Sequence, residues 1–409
     1  MLIERAVKDT ILETSETFPV VLLTGPRQVG KSTLLESLAE PSRKRVTLDN
    51  PTVRALAKND PELFLQRYAP PVLIDEVQYA PELFPYIKIL VDKRKQCGDF
   101  WLTGSQMFRT MKNVTETLAG RVGVIPILGL SNSEINGTHL GVFSADPQAL
   151  LSKLPAAKPM SVTEIFERIF CGSMPRLYEN SKVNLNTYFE SYLDTYVSRD
   201  VRDLSQVGDE SAFLKFVKVV AARTATNLNY DALATETGVS GPTAKSWLSI
   251  LVSSGIVTLI EPYFNNALKR VIKAPRMYFS DTGLCAHLMG WGSPEVLENS
   301  SMSGEFFETW VVMEVYKSYL NAGVRPPLYF YRDSNRKEID LIIYQNGTVH
   351  PLEIKKGSAP KDAIKNFSVL NPIQEAKIKT EIGAGGVICL ASDVVPINAK
   401  NNYIPAWII

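Results

Sequence analysis

Gly25-Pro26-Arg27-Gln28-Val29-Gly30-Lys31-Ser32 have the residue types and spacing of a phosphate cradle. Glycines let the backbone turn its N–H groups toward an anion, and a helix opening at the second glycine adds a favourable dipole. In that arrangement Lys31 reaches the β- and γ-phosphates of a nucleoside triphosphate. The Ser32 hydroxyl ligates Mg²⁺, and Thr33 belongs to the same binding segment. Asp75-Glu76 close the apolar run Val72-Leu73-Ile74. A carboxylate at that strand end can hold the hydrated Mg²⁺, and the next can polarise the attacking water. Leu102-Thr103-Gly104-Ser105-Gln106 ends the following run, with Ser105 the first candidate to sense the γ-phosphate and Thr103 the second. Arg121 precedes the last run, where it is either a finger for a neighbouring subunit's site or a surface salt-bridge partner.

A second group lies near the C-terminus: Asp340 within Glu338-Ile339-Asp340, then Glu353-Ile354-Lys355. Alternation along a strand puts Glu353 and Lys355 on the same face. Asp340 and Glu353 can share one or two Mg²⁺ or Mn²⁺ ions at a phosphodiester, with Lys355 orienting the water and stabilising developing charge. Salt bridges on a surface hairpin are the competing reading of the same residues.

The first group needs strands to end beside it. Pro19–Thr24, Arg45–Leu48, Pro71–Asp75, Phe100–Thr103 and Gly123–Leu128 are short apolar runs bounded by turn residues, with helical patterns between them. That alternation predicts a parallel α/β sheet. Residues 137–160 read as a loop, and 161–205 as helical, with Tyr188, Tyr192 and Tyr196 on one packing face. Helices over Ala212–Arg223, Tyr230–Thr237 and Pro242–Ser253, followed by strands Ile256–Glu261 and Val271–Phe279, give a winged-helix pattern. A helix over Glu305–Leu320 then precedes further α/β structure. The expected divisions are 1–135, 136–205, 206–282 and 283–409.

Composition bounds the function. With 44 Lys plus Arg against 43 Asp plus Glu, total charge points to no nucleic-acid partner, so a DNA role must rest on local features. Four scattered cysteines and three histidines offer no zinc spacing. No signal core or run near the ~18 apolar residues of a membrane span is present, so a cytoplasmic protein without membrane contact is expected.

The strings TGPRQVGKST, TLDNP, VLIDEVQ, LTGSQ and LAGRV occur here in the order seen in a branch of bacterial and archaeal AAA+ ATPases, which this chain resembles. In that branch the ATPase domain is fused to a C-terminal domain long described as of unknown function. The resemblance continues through GSMPRL, YLDTYVSRDV, PYFNNALKRVIKAPRMYFSDTGL, FFETWVVMEV, YRDSNRKEIDLII and PLEIKKG, covering nearly the whole chain. It implies a P-loop ATPase core, a winged-helix segment and a restriction-endonuclease-like α/β domain. Asp340, Glu353 and Lys355 then match the PD-(D/E)xK nuclease layout. Many enzymes of that fold add an acid from the preceding helix, here Glu308, with Glu305 one turn earlier as alternate.

The winged helix offers one basic residue, Lys245, on its recognition helix, which is thin for reading bases. Lys269, Arg270, Lys273 and Arg276 in the wing are the candidate phosphate contacts. The expectation is an ATP-hydrolysing, ring-forming motor on branched, broken or foreign DNA, contacted by structure or non-specifically, with a metal-dependent nuclease-like domain. A finger at Arg121 implies a homo-oligomer, and the resemblance suggests a hexamer. The alternative is a nucleotide-dependent switch that binds a protein partner without cleaving DNA.

Overall fold

The computed structural model of the protein describes residues 3–105, 117–180, 182–196, 209–265, 273–375 and 380–409. The five apolar runs form one parallel sheet. Its strands are β1 (Val20–Thr24), β2 (Lys44–Thr47), β3 (Val72–Asp75), β4 (Phe100–Gly104) and β5 (Val122–Pro126), in the order β2-β3-β4-β1-β5. β1 and β4 are buried along their whole length because they are central and covered on both faces. Side-chain alternation divides them between two cores. Val20, Leu22, Phe100 and Leu102 face one, while Val21, Leu23 and Trp101 face another that runs on into the C-terminal half.

Helices α1 (Lys8–Thr17), α2 (Lys31–Leu38) and α3 (Leu83–Arg94) accompany this sheet. Next come α4 (Asn132–Ile135) and α5 (Val162–Cys171), each opened by a reciprocal cap, Ser131 with Glu134 and Ser161 with Glu164. The stretch 137–160, expected as loop, contains a helix, Pro147–Lys153. Asp146 accepts from the N–H groups of Gln148 and Ala149, and Pro147 fits the first turn. Tyr188, Tyr192 and Tyr196 are all buried, as a packing stripe should be.

The winged-helix pattern is present as α6 (Glu210–Ala221), α7 (Tyr230–Thr237) and α8 (Gly241–Ser253). Gly238 closes α7 in the left-handed conformation at φ 76°. Strands β6 (Thr226–Asn227), β7 (Val257–Pro262) and β8 (Arg276–Phe279) follow its outline. They do not stand apart from what comes next. β7 pairs in parallel with β9 (Leu328–Arg332), which joins the wing to the C-terminal strands β10 (Glu338–Gln345), β11 (Thr348–Lys355), β12 (Glu381–Ile382), β13 (Gly385–Cys389), β14 (Val395–Pro396) and β15 (Asn401–Pro405). Among the described residues the combined sheet runs β14-β15-β13-β11-β10-β9-β7-β8-β6, with β12 beside β11.

Among the helices of this half are α9 (Thr282–Leu288) and α10 (Ser303–Asn321). α10 buries residues on every side, from Phe306 and Trp310 to Val315 and Tyr319, so it reads as a central helix rather than an amphipathic surface one. Among the described residues no helix is long and apolar enough to cross a membrane.

Candidate functional site

The cradle leaves β1 through Gly25, at φ 153°. A Cβ there would stand 2.1 Å from the Ile127 carbonyl oxygen, so only glycine fits. Gly30, at φ 86°, is the left-handed N-cap of α2. Lys31 is buried, and its ammonium donates to the carbonyls of Gly25 (2.9 Å) and Pro26 (2.7 Å), inside the loop. Arg5 braces the loop from behind, donating to Val29 O at 2.8 Å and Leu128 O at 2.9 Å.

Strand order brings the remaining residues together, because β4 lies between β1 and β3 and all three end at the same edge. The Ser32 hydroxyl donates to Asp75 Oδ1. Thr103 Oγ1 reaches the same oxygen at 2.5 Å, and Thr47 Oγ1 donates to Asp75 Oδ2 at 3.2 Å. Glu76 sits at φ 57° and ψ 46°, a left-handed conformation uncommon for a non-glycine residue. Its N–H donates to Thr103 Oγ1 at 3.0 Å, and its Oε2 accepts from Ser105 Oγ at 3.1 Å and from Gln78 Nε2. Thr103 thus bonds the Asp75 carboxylate and the Glu76 backbone, and Ser105 the Glu76 carboxylate. A serine hydroxyl against a carboxylate, both oxygen donors, suits Mg²⁺.

Residues outside the motif line a cavity beside the cradle. A cavity of about 650 Å³, lined by Gln28, Gly30 and Thr33, is completed by Arg5, Pro175 and Arg176. That volume is within the ~300–1,000 Å³ of small-molecule sites. No local spacing ties positions 175 and 176 to the loop; only the chain's return after α5 does. Arg27 lies 3.4 Å from the Tyr79 hydroxyl. Arg121 lies outside this constellation. Its guanidinium bonds both oxygens of Asp92 on α3, at 2.6 Å and 3.0 Å, in an exposed pair of the kind that adds little stability.

The C-terminal group is also assembled. Lys355 Nζ bridges Asp340 Oδ2 (2.7 Å) and Glu353 Oε2 (2.8 Å), and the Ile354 N–H donates to Asp340 Oδ2 at 2.9 Å. Glu353 Oε1 is buried and meets no donor. Glu308, expected as a third acid beside these two, lies near enough that burial and the Asp340 charge together raise its carboxyl, and its bonded partners are others. Its Oε1 accepts from Arg276 at 3.0 Å and from the Tyr278 hydroxyl at 2.8 Å. Among the described residues no group of three or more His, Cys, Asp or Glu is drawn together to hold a metal. The Asp340–Glu353 pair, with its unmatched buried oxygen, suits a single hard cation.

Burial and the neighbouring Asp340 carboxylate push Glu353 up to about 9, so it keeps its proton at neutral pH. Burial also opposes the charge on Asp340, but the Lys355 ammonium and three hydrogen bonds hold that carboxyl below its usual range. The folded chain therefore retains a Glu353 proton that the unfolded chain releases, and stability falls as pH rises from about 4.5 to about 9. The ceiling on that slope is ~1.4 kcal/mol per pH unit. Glu353→Gln, a mimic of the protonated form, is expected to gain on the wild type progressively across this window. Denaturation midpoints measured along it decide the matter, and a constant difference between the two proteins sinks the assignment.

The candidate DNA contacts fare unevenly. Lys245 and Lys273 are exposed, while Lys269 and Arg270 lie outside the described residues. Arg276, expected on the outside of the wing, is only 3% exposed. β8 is an interior strand, and the guanidinium turns inward onto Glu308, Glu338 and Asp340.

A family model described as an AAA domain matches residues 17–136, and two domains of unknown function, DUF8612 and DUF4143, match 162–295 and 303–409. The chain is 31% identical over 364 residues to the uncharacterized protein Rv2008c of Mycobacterium tuberculosis, covering 88% of this chain and 75% of that protein. The uncharacterized protein Mb2031c of Mycobacterium bovis matches with the same figures. Among solved structures, the RuvB Holliday junction branch migration motor of Thermotoga maritima aligns at a TM-score of 0.31 and 18% identity, covering 62% of this chain and 88% of that one. AMPPCP-bound DnaA from Aquifex aeolicus aligns at 0.29 and 12%, covering 60% and 85%. The N-terminal third is thus an AAA-type P-loop ATPase domain, whose chemistry uses ATP and Mg²⁺.

Proposed function

Since this chain belongs to the family of these uncharacterized mycobacterial proteins, with an AAA domain at its head, we propose that it hydrolyses ATP at Gly25–Ser32 and cleaves DNA phosphodiesters at Asp340, Glu353 and Lys355. The observation that carries the ATPase half is the meeting of Ser32, Asp75, Thr103, Glu76 and Ser105 at the ends of three adjacent strands. Lys31 leaves its loop carbonyls for the β- and γ-phosphates. Ser32 and Asp75 would hold Mg²⁺, whose charge would offset that building on the phosphates. Glu76, aimed by Ser105, orients the attacking water and takes its proton. Arg121 acts on a neighbouring copy, exchanging Asp92 for the γ-phosphate, so the working form is a homo-oligomer of ring type.

At the C-terminal site Asp340 and Glu353, the latter releasing its proton to solvent as it binds, would hold a divalent cation whose charge would polarise a scissile phosphate, and Lys355 would stabilise the developing charge. Exposed Lys245 and Lys273 supply sequence-independent contact to the DNA backbone. One observation favours the rival, a nucleotide-driven switch without cleavage: Lys355 already bridges both carboxylates in a charge-paired arrangement.

Labelled linear, single-stranded and four-way-junction DNA, offered with Mg²⁺ or Mn²⁺ and with or without ATP, separates the two. Cleavage by the wild type, reduced at least about 100-fold in Asp340→Asn and Lys355→Ala, is expected for the nuclease. Intact ATP hydrolysis with no cleavage of any substrate transfers the assignment to the switch.

A further inference from the structure

Four carboxylates gather at the site end of β10 and β11: Glu308, Glu338, Asp340 and Glu353. Two basic residues bond them, and they differ in exposure. Lys355 has a side chain 42% exposed. Arg276 is delivered by β8 and is 3% exposed. Its Nη1 lies 3.0 Å from Glu308 Oε1 and 3.9 Å from Asp340 Oδ1, and its Nη2 pairs with Glu338 Oε1. The Phe330 ring covers the guanidinium, with its central carbon 5.0 Å from the ring centroid. The Tyr278 hydroxyl donates to the same Glu308 oxygen, Oε1, at 2.8 Å.

We propose that Arg276 is a built-in cation of this site: it withdraws Glu308 and Glu338 from metal binding, so that Asp340 and Glu353 hold one divalent ion rather than two. The inference rests on the metal reading above and deepens it. A guanidinium stays charged under all ordinary conditions. A second divalent ion at Glu308 would sit against that charge, inside an enclosure where water screens little. The ligand face of Asp340 and Glu353 is different. It opens when Lys355 moves aside, and the buried Oε1 of Glu353 has no hydrogen bond to give up. Arg276 is thus a positioning residue: it sets how many ions the acids can take.

The test is Mn²⁺ binding to the full chain, counted by titration calorimetry and by the EPR signal of free Mn²⁺. Asp75→Asn serves as the parent, to silence the nucleotide-site metal. The parent is expected to bind one Mn²⁺, lost on adding Asp340→Asn. Adding Glu308→Gln should leave both the count and the affinity unchanged, because Glu308 belongs to Arg276. Adding Arg276→Met should raise the count to two. If Arg276→Met fails to fold, the Glu308→Gln arm still decides. A parent that binds one Mn²⁺ but loses it with Glu308→Gln leaves the metal reading standing and overturns this inference alone. A folded Arg276→Met protein that still binds one ion does the same. A parent that binds no Mn²⁺ overturns both.

Discussion

Glu76→Gln is expected to lower ATP turnover by about 10²–10⁴-fold while changing nucleotide affinity only a few-fold. The exchange keeps the size of the side chain and a carbonyl oxygen that Ser105 Oγ, now at 3.1 Å, can still bond. It removes the basicity that the attacking water needs. The Ser32–Asp75 pair is untouched, so Mg²⁺ and phosphate binding persist. Single-turnover hydrolysis and equilibrium binding of a fluorescent ATP analogue, run side by side, read the two effects separately. Turnover within about threefold of wild type would remove Glu76 from the chemistry and return the question to its neighbours, Gln78 and Ser105.

The second large effect is on stability. Lys317→Met is expected to cost about 3–5 kcal/mol, because it strands the Glu314 carboxylate in the interior. Both residues are buried, at 4% exposure for Glu314 and 3% for Lys317, and they bond each other on α10. Each also grips the segment after β5: Glu314 Oε2 accepts from the Asn132 N–H at 2.7 Å, and Lys317 donates to Leu130 O at 2.8 Å. Removing both charges together, as Glu314→Leu with Lys317→Met, should recover much of the loss, since apolar packing often replaces a buried ion pair without penalty. Urea unfolding of the three proteins supplies the cycle. A Lys317→Met protein as stable as the wild type would mean that the Glu314 charge is relieved some other way. The same tie reaches the cradle. Glu134 follows Asn132 in α4 and bonds Arg5 at 2.9 Å, and Arg5 holds Val29 of the cradle.

The cradle was legible because its physics is local. Glycine at positions 25 and 30 is required by backbone angles that the motif itself imposes, and Lys31 and Ser32 stand on the first turn they open. The β3 ending at Asp75 was legible for the same reason, a short apolar run closed by acids. The pairing of Glu353 with Lys355 followed from strand alternation alone.

Other placements depended on residues far apart in sequence. Arg276 reads as a wing cation beside Lys273, yet β8 lies inside the sheet that β7 and β9 join, and its guanidinium turns to Glu308 and Asp340. Charge in a sequence carries no burial, and burial was decided by strands that pair across more than one expected domain. Arg176 and Pro175 reach the cavity beside the cradle for a similar reason, through the return of the chain past α5.

The sequence by itself determined which side chains can do chemistry here: a cradle with its lysine and acids, and a carboxylate pair with its own lysine. Tertiary structure alone decided their company. It placed Thr103 on Asp75 and Ser105 on Glu76 by inserting β4 between β1 and β3, and it bonded Glu308 to Arg276. Local spacing sets backbone conformation and the face a side chain occupies. Which charges meet, and how much water remains between them, depends on long-range packing.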